Sequence, residues 1–226
     1  FTYINHSFAW PDEEGQIVAP AGMLDPSIAD YIHSNNRKII LSLGGWGQAQ
    51  TAGFVSSTST FELRSAFIAN IIDKMIGITS EVRFIEYMDV GESNNWNLGK
   101  VVPSSQLLKL IISRYNLSLI ETNKSSTAQK WSIDDTNTSV GFISSITEPF
   151  CNGCNRARLS VDGKLYTCLF ATEGHDLKKI IRTGASSQDV LNYFYNIWSK
   201  RSDRYSELRF INKIDSPKVE MSYIGG

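Results

Sequence analysis

The sequence predicts an α/β fold in two unlike parts. Strands alternating with covering helices come first; antiparallel hairpins and further helices follow. Three observations carry this reading. Residues 1–75 switch between strand-like and helix-like apolar periods. Two turn-bounded pairs of short β-prone runs come later, one of them closed by Asp162-Gly163. All three cysteines, Cys151, Cys154 and Cys168, fall in the second part.

The elements follow in order. Residues 2–10 alternate well enough for a strand, and Pro11 to Gly22 reads as a loop of Pro, Gly and acids. Asp25 followed by Pro26 starts a helix that runs to about Ser34. Lys38–Ser42 is a short apolar run typical of a buried parallel strand, stopped by Gly44, Gly45 and Gly47. Ser59 or Thr60 caps a helix whose apolar face is Phe61, Phe67, Ile68, Ile71, Ile72 and Met75. The next strand is Val82–Met88, and a helix follows over residues 104–115 with Leu107, Leu108, Ile111 and Ile112 on its apolar side. Residues 128–133 and 139–146 form one hairpin; residues 156–161 and 164–169 form a second around Asp162-Gly163. Helices are expected over residues 176–182 and from Ser186 or Ser187, the latter with Val190, Leu191, Phe194, Ile197 and Trp198 on one face.

Composition narrows the function classes. The chain has 226 residues, 42% hydrophobic and 20% charged, so it can bury a core and is neither disordered nor collagen-like. A net charge of -1 argues against a broad nucleic-acid-binding surface, though not against a local basic site. No apolar run approaches the roughly 18 residues of a spanning helix, so no membrane partner is expected. Phe1 enters directly into a strand-like run, which reads as an excerpt of a longer product.

The cysteines carry the chemistry. An odd number in one tight cluster argues against a disulfide framework and for a metal site. Cys168 lies on the return arm of the Asp162-Gly163 hairpin, which brings it back towards Cys151 and Cys154. Three thiolates suit an iron–sulfur cluster with one iron left open, or a zinc site lacking one ligand. Arg156 and Arg158, on one face if that arm is extended, place two cations beside the thiols and suit a phosphorylated substrate. His175 reads as an exposed residue at a helix start, not as a fourth ligand. Thiolate-held clusters need a reducing interior, so a cytoplasmic or mitochondrial-matrix location is expected.

Residues from about 80 to the C-terminus resemble the C-terminal half of the GTP 3',8-cyclase family, the molybdenum cofactor biosynthesis A proteins. The stretches that carry the resemblance are residues 82–91 (VRFIEYMDVG), 149–159 (PFCNGCNRARL), 162–170 (DGKLYTCLF), 174–177 (GHDL), 197–207 (IWSKRSDRYSE) and 219–226 (VEMSYIGG). The resemblance implies that Cys151, Cys154 and Cys168 hold a [4Fe–4S] cluster whose open iron meets the base of GTP. It implies that Arg156, Ala157 and Arg158 line GTP, that Met88 contacts S-adenosylmethionine, and that Gly225 and Gly226 form a tail reaching the site. The family's CxxxCxxC loop for radical generation is absent from these residues, so a second chain supplying that half is expected for radical chemistry.

Residues 1–75 resemble a fragment of glycoside hydrolase family 18, the chitinase-like barrels. Residues 3–10 (YINHSFAW), 38–47 (KIILSLGGWG) and 64–72 (RSAFIANII) carry this, with Ser42, Leu43, Gly44 and Gly45 as the S-x-G-G signature. No D-x-x-D-x-D-x-E sequence occurs, so the catalytic acid of that family is missing. Trp46, Tyr3 and Phe8 are the candidates for stacking on sugars. The two resemblances together predict a partial TIM-type barrel built from unlike fragments, 1–77 and 78–226, joined near residues 76–81. The leading functional expectation is cluster and GTP binding without autonomous radical catalysis. The alternatives are a chitinase-like carbohydrate-binding module without its acid, and a fusion without function.

Overall fold

A computed structural model describes residues 3–44, 48–76, 78–93, 95–123, 125–209 and 217–224. The chain divides into two compact units. The first comprises Phe1–Ile85, Ser104–Thr122 and Ala128–Ile143; the second comprises Glu86–Pro103, Asn123–Thr127 and Ser144–Gly226. The expected segment boundary at 77/78 lies inside the first unit.

The first unit opens with β1 (Tyr3–Pro11), β2 (Ile17–Val18), α1 (Pro26–Ser34) and β3 (Lys38–Leu43). β1 and β3 pair in parallel from Tyr3↔Lys38 to Ala9↔Leu43, and β2 pairs antiparallel with the end of β1. Asp25 caps α1 by accepting the Ser27 backbone N–H at 2.9 Å, and Pro26 at the first position has no N–H to lose. The loop read over Pro11–Gly22 contains β2, two residues too short for any alternation to register.

α2 (Gln48–Thr58) was not expected: its Gln, Ala, Ser and Thr residues offer no apolar stripe. α3 (Phe61–Met75) starts where Thr60 accepts the Leu63 N–H at 3.2 Å. It presents two apolar rows. Ile68 and Ile72 join one core cluster with Ile111, Ile133, Val140 and Phe142; Phe67, Ile71 and Met75 join another with Val82. Such spacing follows from 3.6 residues per turn, which lets one helix serve two clusters.

The second sheet of this unit has the order β4-β7-β6-β5. It contains β4 (Glu81–Ile85), β5 (Leu117–Ile120), β6 (Gln129–Ile133) and β7 (Ser139–Ile143), with α4 (Ser104–Ile112) before β5. β6 and β7 form the hairpin expected around Asp134–Thr138, and β4 pairs with β7 in parallel. Phe84 stacks on buried Phe142 with ring centroids 5.9 Å apart. The strand expected to run to Met88 ends at Ile85, because its partner β7 ends at Ile143. β3 and β4 belong to different sheets, and no closed barrel forms among the described residues. The chain is mixed α/β with parallel and antiparallel pairing. No helix among the described residues is long and apolar enough to cross a membrane.

The second unit is built on a small antiparallel sheet, β8 (Arg158–Leu159), β9 (Lys164–Tyr166) and β10 (His175–Asp176), in the order β10-β9-β8. The Asp162-Gly163 turn is as expected: Gly163 N donates to Ser160 O at 3.0 Å, and Gly163 adopts φ +83°. The arms are shorter than expected because Ser160 already turns, its N–H reaching Lys164 O at 2.9 Å. α5 (Leu177–Arg182) is capped by Asp176. α6 (Ser187–Ser199) begins with a reciprocal Ser186–Asp189 capping box. α7 (Tyr205–Leu208) follows, and Ser206 donates to Ser145 O at 2.6 Å.

Candidate thiol and guanidinium site

The site lies in the second unit. Its first piece is the Cys151–Cys154 turn. Cys154 N donates to Cys151 O at 3.2 Å, and Gly153 takes the left-handed conformation at φ 90° that lets the chain reverse. The chain then wraps around the Cys154 sulfur. Arg156 Nη2 lies 3.1 Å from Cys154 Sγ, and the Arg156 backbone N–H also points to that sulfur. Burial alone would push the Cys154 thiol up. The Arg156 N–H and the Arg201 and Arg156 guanidinium groups outweigh it and hold the thiol below its ordinary range.

Arg201 reaches this turn from the end of α6. Its Nη1 donates to Cys154 O at 2.6 Å, its Nε donates to Asp203 Oδ2 at 2.8 Å, and its guanidinium lies 4.8 Å from the Trp198 ring centroid. Arg156 lies 5.0 Å from the Phe150 ring centroid. Each of the two guanidinium groups beside this thiol thus lies over an aromatic ring. Arg158 opens β8, half-buried, and its pKa is drawn down by burial and by Arg156, against the attraction of Cys168 and Cys154. Arg156 precedes the strand, so strand alternation does not set the pair on one face.

Cys168 follows β9 and packs, with Leu169, Tyr205 and Val219, against buried Tyr166, Ala171 and Ile224. Burial pushes its thiol up to about 11; nearby Asp203, Cys151 and Cys154 push the same way, against the Phe170 N–H. The three sulfurs therefore share one electrostatic neighbourhood. No three Cys, His, Asp or Glu side chains among the described residues converge on a point for a single metal ion. Arg156 Nε is buried without a hydrogen-bond partner among the described residues. A buried cationic N–H beside a thiol, with nothing to accept it, fits a site shaped for a further anionic group.

A fourth cation was not anticipated. Arg209 Nη1 lies 2.8 Å from Asp89 Oδ1, and its guanidinium is 4.6 Å from the Phe170 ring centroid. Burial draws its pKa down, while Asp89, Cys151, Cys168 and Glu86 pull the other way. Arg201 and Arg209 stand 47 and 55 residues after Cys154, too far for any spacing rule. The only signal for Arg201 was its place in the IWSKRSDRYSE stretch.

The remaining candidates are placed as follows. Ala157 is exposed beside Arg156 and Arg158, and Met88 is half-buried on the segment after β4. His175 is exposed on β10. Gly225, Gly226 and Trp46 lie outside the described residues. Phe8 is exposed on β1, whose first residue is Tyr3.

Comparison with known proteins places this geometry. The Molybdenum Cofactor Synthesis C family matches residues 80–207, more than half of the chain and every cysteine in it. The chain belongs to this family. It is 36% identical over 216 residues to a GTP 3',8-cyclase of Xanthomonas campestris, covering 93% of this chain and 63% of that one. It is 42% identical over 164 residues to a GTP 3',8-cyclase of Staphylococcus epidermidis, covering 70% and 48%. This Molybdenum Cofactor Synthesis C chain thus spans about half to two thirds of the length of the curated relatives it matches. A match that covers 93% of the chain also reaches into residues 1–77. The resemblance of the first part to chitinases rests on weak structural neighbours. A chitinase of Rhizomucor miehei is 20% identical with a TM-score of 0.35, over 49% of this chain and 35% of that one. A likeness at that level does not show a shared fold.

Proposed function

We propose that this chain is the cluster- and GTP-binding portion of a GTP 3',8-cyclase acting in molybdenum cofactor biosynthesis. The observation that carries the reading is the set of three thiols in one neighbourhood, walled by Arg156, Arg158, Arg201 and Arg209. Cys151, Cys154 and Cys168 would hold a [4Fe–4S] cluster, which supplies an open Lewis-acidic iron for the substrate base. The arginines offset the charge of the thiolates. Arg156 and Arg158, with exposed Ala157 between them, hold the triphosphate by charge-assisted hydrogen bonds. Met88 contacts S-adenosylmethionine, and Gly225 and Gly226 complete the site as its C-terminal tail. A second chain carrying the radical-generating thiolates is the partner. The parallel pairs β1–β3 and β4–β7 are parts of an incomplete TIM-type barrel, residues 1–77 of chitinase-like origin and 78–226 of cyclase origin. The chain works in a reducing compartment, cytoplasm or mitochondrial matrix.

The test is anaerobic reconstitution with iron and sulfide, followed by visible and paramagnetic spectra and GTP calorimetry. The expected result is a [4Fe–4S] signal that Cys168→Ser removes. GTP affinity should fall about a hundredfold in Arg156→Ala/Arg158→Ala, since each phosphate contact contributes roughly 1.5–3 kcal/mol. Stoichiometric zinc with no iron uptake would overturn the cluster. Equal GTP affinity in both proteins would reduce the arginines to a solvated face.

A further inference from the structure

Residues 217–224 lie within the second unit and are fastened to it at three points. Lys218 Nζ donates to Asp89 O at 3.1 Å and lies 3.2 Å from Asp89 Oδ2. The Glu220 carboxylate accepts the backbone N–H groups of Glu92 at 2.8 Å and Ser93 at 3.1 Å, and the Ser93 hydroxyl at 3.0 Å. Tyr223 donates its hydroxyl to Asp162, in the β8–β9 turn. Between these anchors the segment turns on itself, Tyr223 N to Glu220 O at 3.0 Å and Ile224 N to Met221 O at 3.2 Å.

Apolar residues of the segment pack into the cluster that Cys168 borders. Ile224 is fully buried with Tyr166 and Ala171, and both Val219 and Cys168 pack against that cluster. A cavity of about 20 Å³ is bounded by Val219 and Lys218 on the segment and by Leu169 and Phe170 next to Cys168. It has room for about one water molecule. Gly91 also forms part of its wall. A Cβ on Gly91 would run into the Glu220 carboxylate, so the loop is shaped to admit that side chain.

We propose that residues 217–224 form a strap that controls access to Cys168, with Glu220 and Tyr223 as its latches. The latches are polar contacts at the surface, each weak alone, while the plug behind them is apolar. Such a segment opens by itself far more often than the unit unfolds. Access to Cys168 then depends on two anchors 69 residues apart in sequence, Ser93 in the 91–93 loop and Asp162 in the β8–β9 turn. The inference does not depend on what the thiols bind.

The test uses the reduced, metal-free full chain. N-ethylmaleimide labelling is followed cysteine by cysteine by mass spectrometry in the unaltered protein, Glu220→Ala, Gly91→Ala and Tyr223→Phe. Hydrogen exchange of residues 166–171 is recorded in parallel. Cys168 should label at least about tenfold faster in Glu220→Ala, which loses three latch hydrogen bonds, and in Gly91→Ala, which displaces the same carboxylate. Cys154 should keep its rate and serve as the internal reference. Should either of those variants unfold, Tyr223→Phe removes only a hydroxyl and must still accelerate Cys168 alone. Unchanged Cys168 rates in the folded variants, or equal acceleration at Cys154, would overturn the strap. Iron uptake is not read in this experiment, so its outcome is separate from that of the cluster test.

Discussion

Glu86 is 3% exposed, yet it carries a carboxylate. One oxygen accepts the backbone N–H groups of Ile146 and Thr147, both at 2.9 Å, and the other accepts the Thr147 hydroxyl at 2.6 Å. The residue sits where the chain leaves β4 and ties that exit to the turn that leads to Cys151. A buried carboxylate is tolerated only when its acceptors are used in this way. Glu86→Ala would leave the buried Ile146 N–H and the part-buried Thr147 N–H and hydroxyl without their acceptor, at about 1–3 kcal/mol for each one left dry. The expected loss is about 2–4 kcal/mol, read as a fall in the urea midpoint at unchanged slope. Glu86→Gln, which keeps one acceptor oxygen, should lose distinctly less. Equal stability of all three proteins would show that water replaces the carboxylate.

At the scale of elements, the β8–β9 hairpin sets where Cys168 emerges. Its turn depends on Gly163, whose φ of +83° is a left-handed conformation. A Cβ there would stand 2.7 Å from Lys178 Cβ. The carbonyl of Gly163 also accepts the N–H groups of Leu177 and Lys178, at 3.1 and 3.0 Å, so the turn fixes the start of α5 as well. Gly163→Ala should cost about 1–2 kcal/mol from the backbone conformation alone. The clash with Lys178 adds to that. Denaturant titration of the two proteins checks it, and an unchanged midpoint would mean that the turn relaxes freely. This hairpin was readable because Asp-Gly acts locally. The reach of its arms was not: β8 is two residues long because Ser160 already turns. α2 went unread for the opposite reason, since it lacks an apolar stripe.

For the whole molecule, all three cysteines lie in the second unit, and the 226 residues contain no other. If Cys151, Cys154 and Cys168 hold the proposed cluster, no thiolate remains for a second one. The chain by itself should therefore not convert GTP in the presence of S-adenosylmethionine and a strong reductant, even when it binds iron. Product analysis after anaerobic incubation is the measurement, and turnover abolished by Cys154→Ser would refute it. The two compact units do not follow the two resemblance segments, because β4 belongs to the sheet of the first unit while the strand that follows the seam was read with the second segment.

What the sequence determined by itself is the local chemistry. The Cys151–Cys154 spacing, the Asp162-Gly163 turn, the Asp25 cap and the rows of α3 act over a few residues, and each leaves a pattern of that length; the caps of α3 and α6 were legible to within one residue, Ser59 or Thr60 and Ser186 or Ser187. The Arg156–Arg158 pair was legible as well, although Arg156 lies outside the strand that was to align the two. Only the tertiary structure brought Arg201 to Cys154, Arg209 to Asp89 and Glu220 to the 91–93 loop. It alone separated β3 from β4 into different sheets. Those pairings join residues 47 to 128 positions apart. No periodicity or cap chemistry extends that far, because such contacts are selected by which surfaces bury each other once the chain has folded.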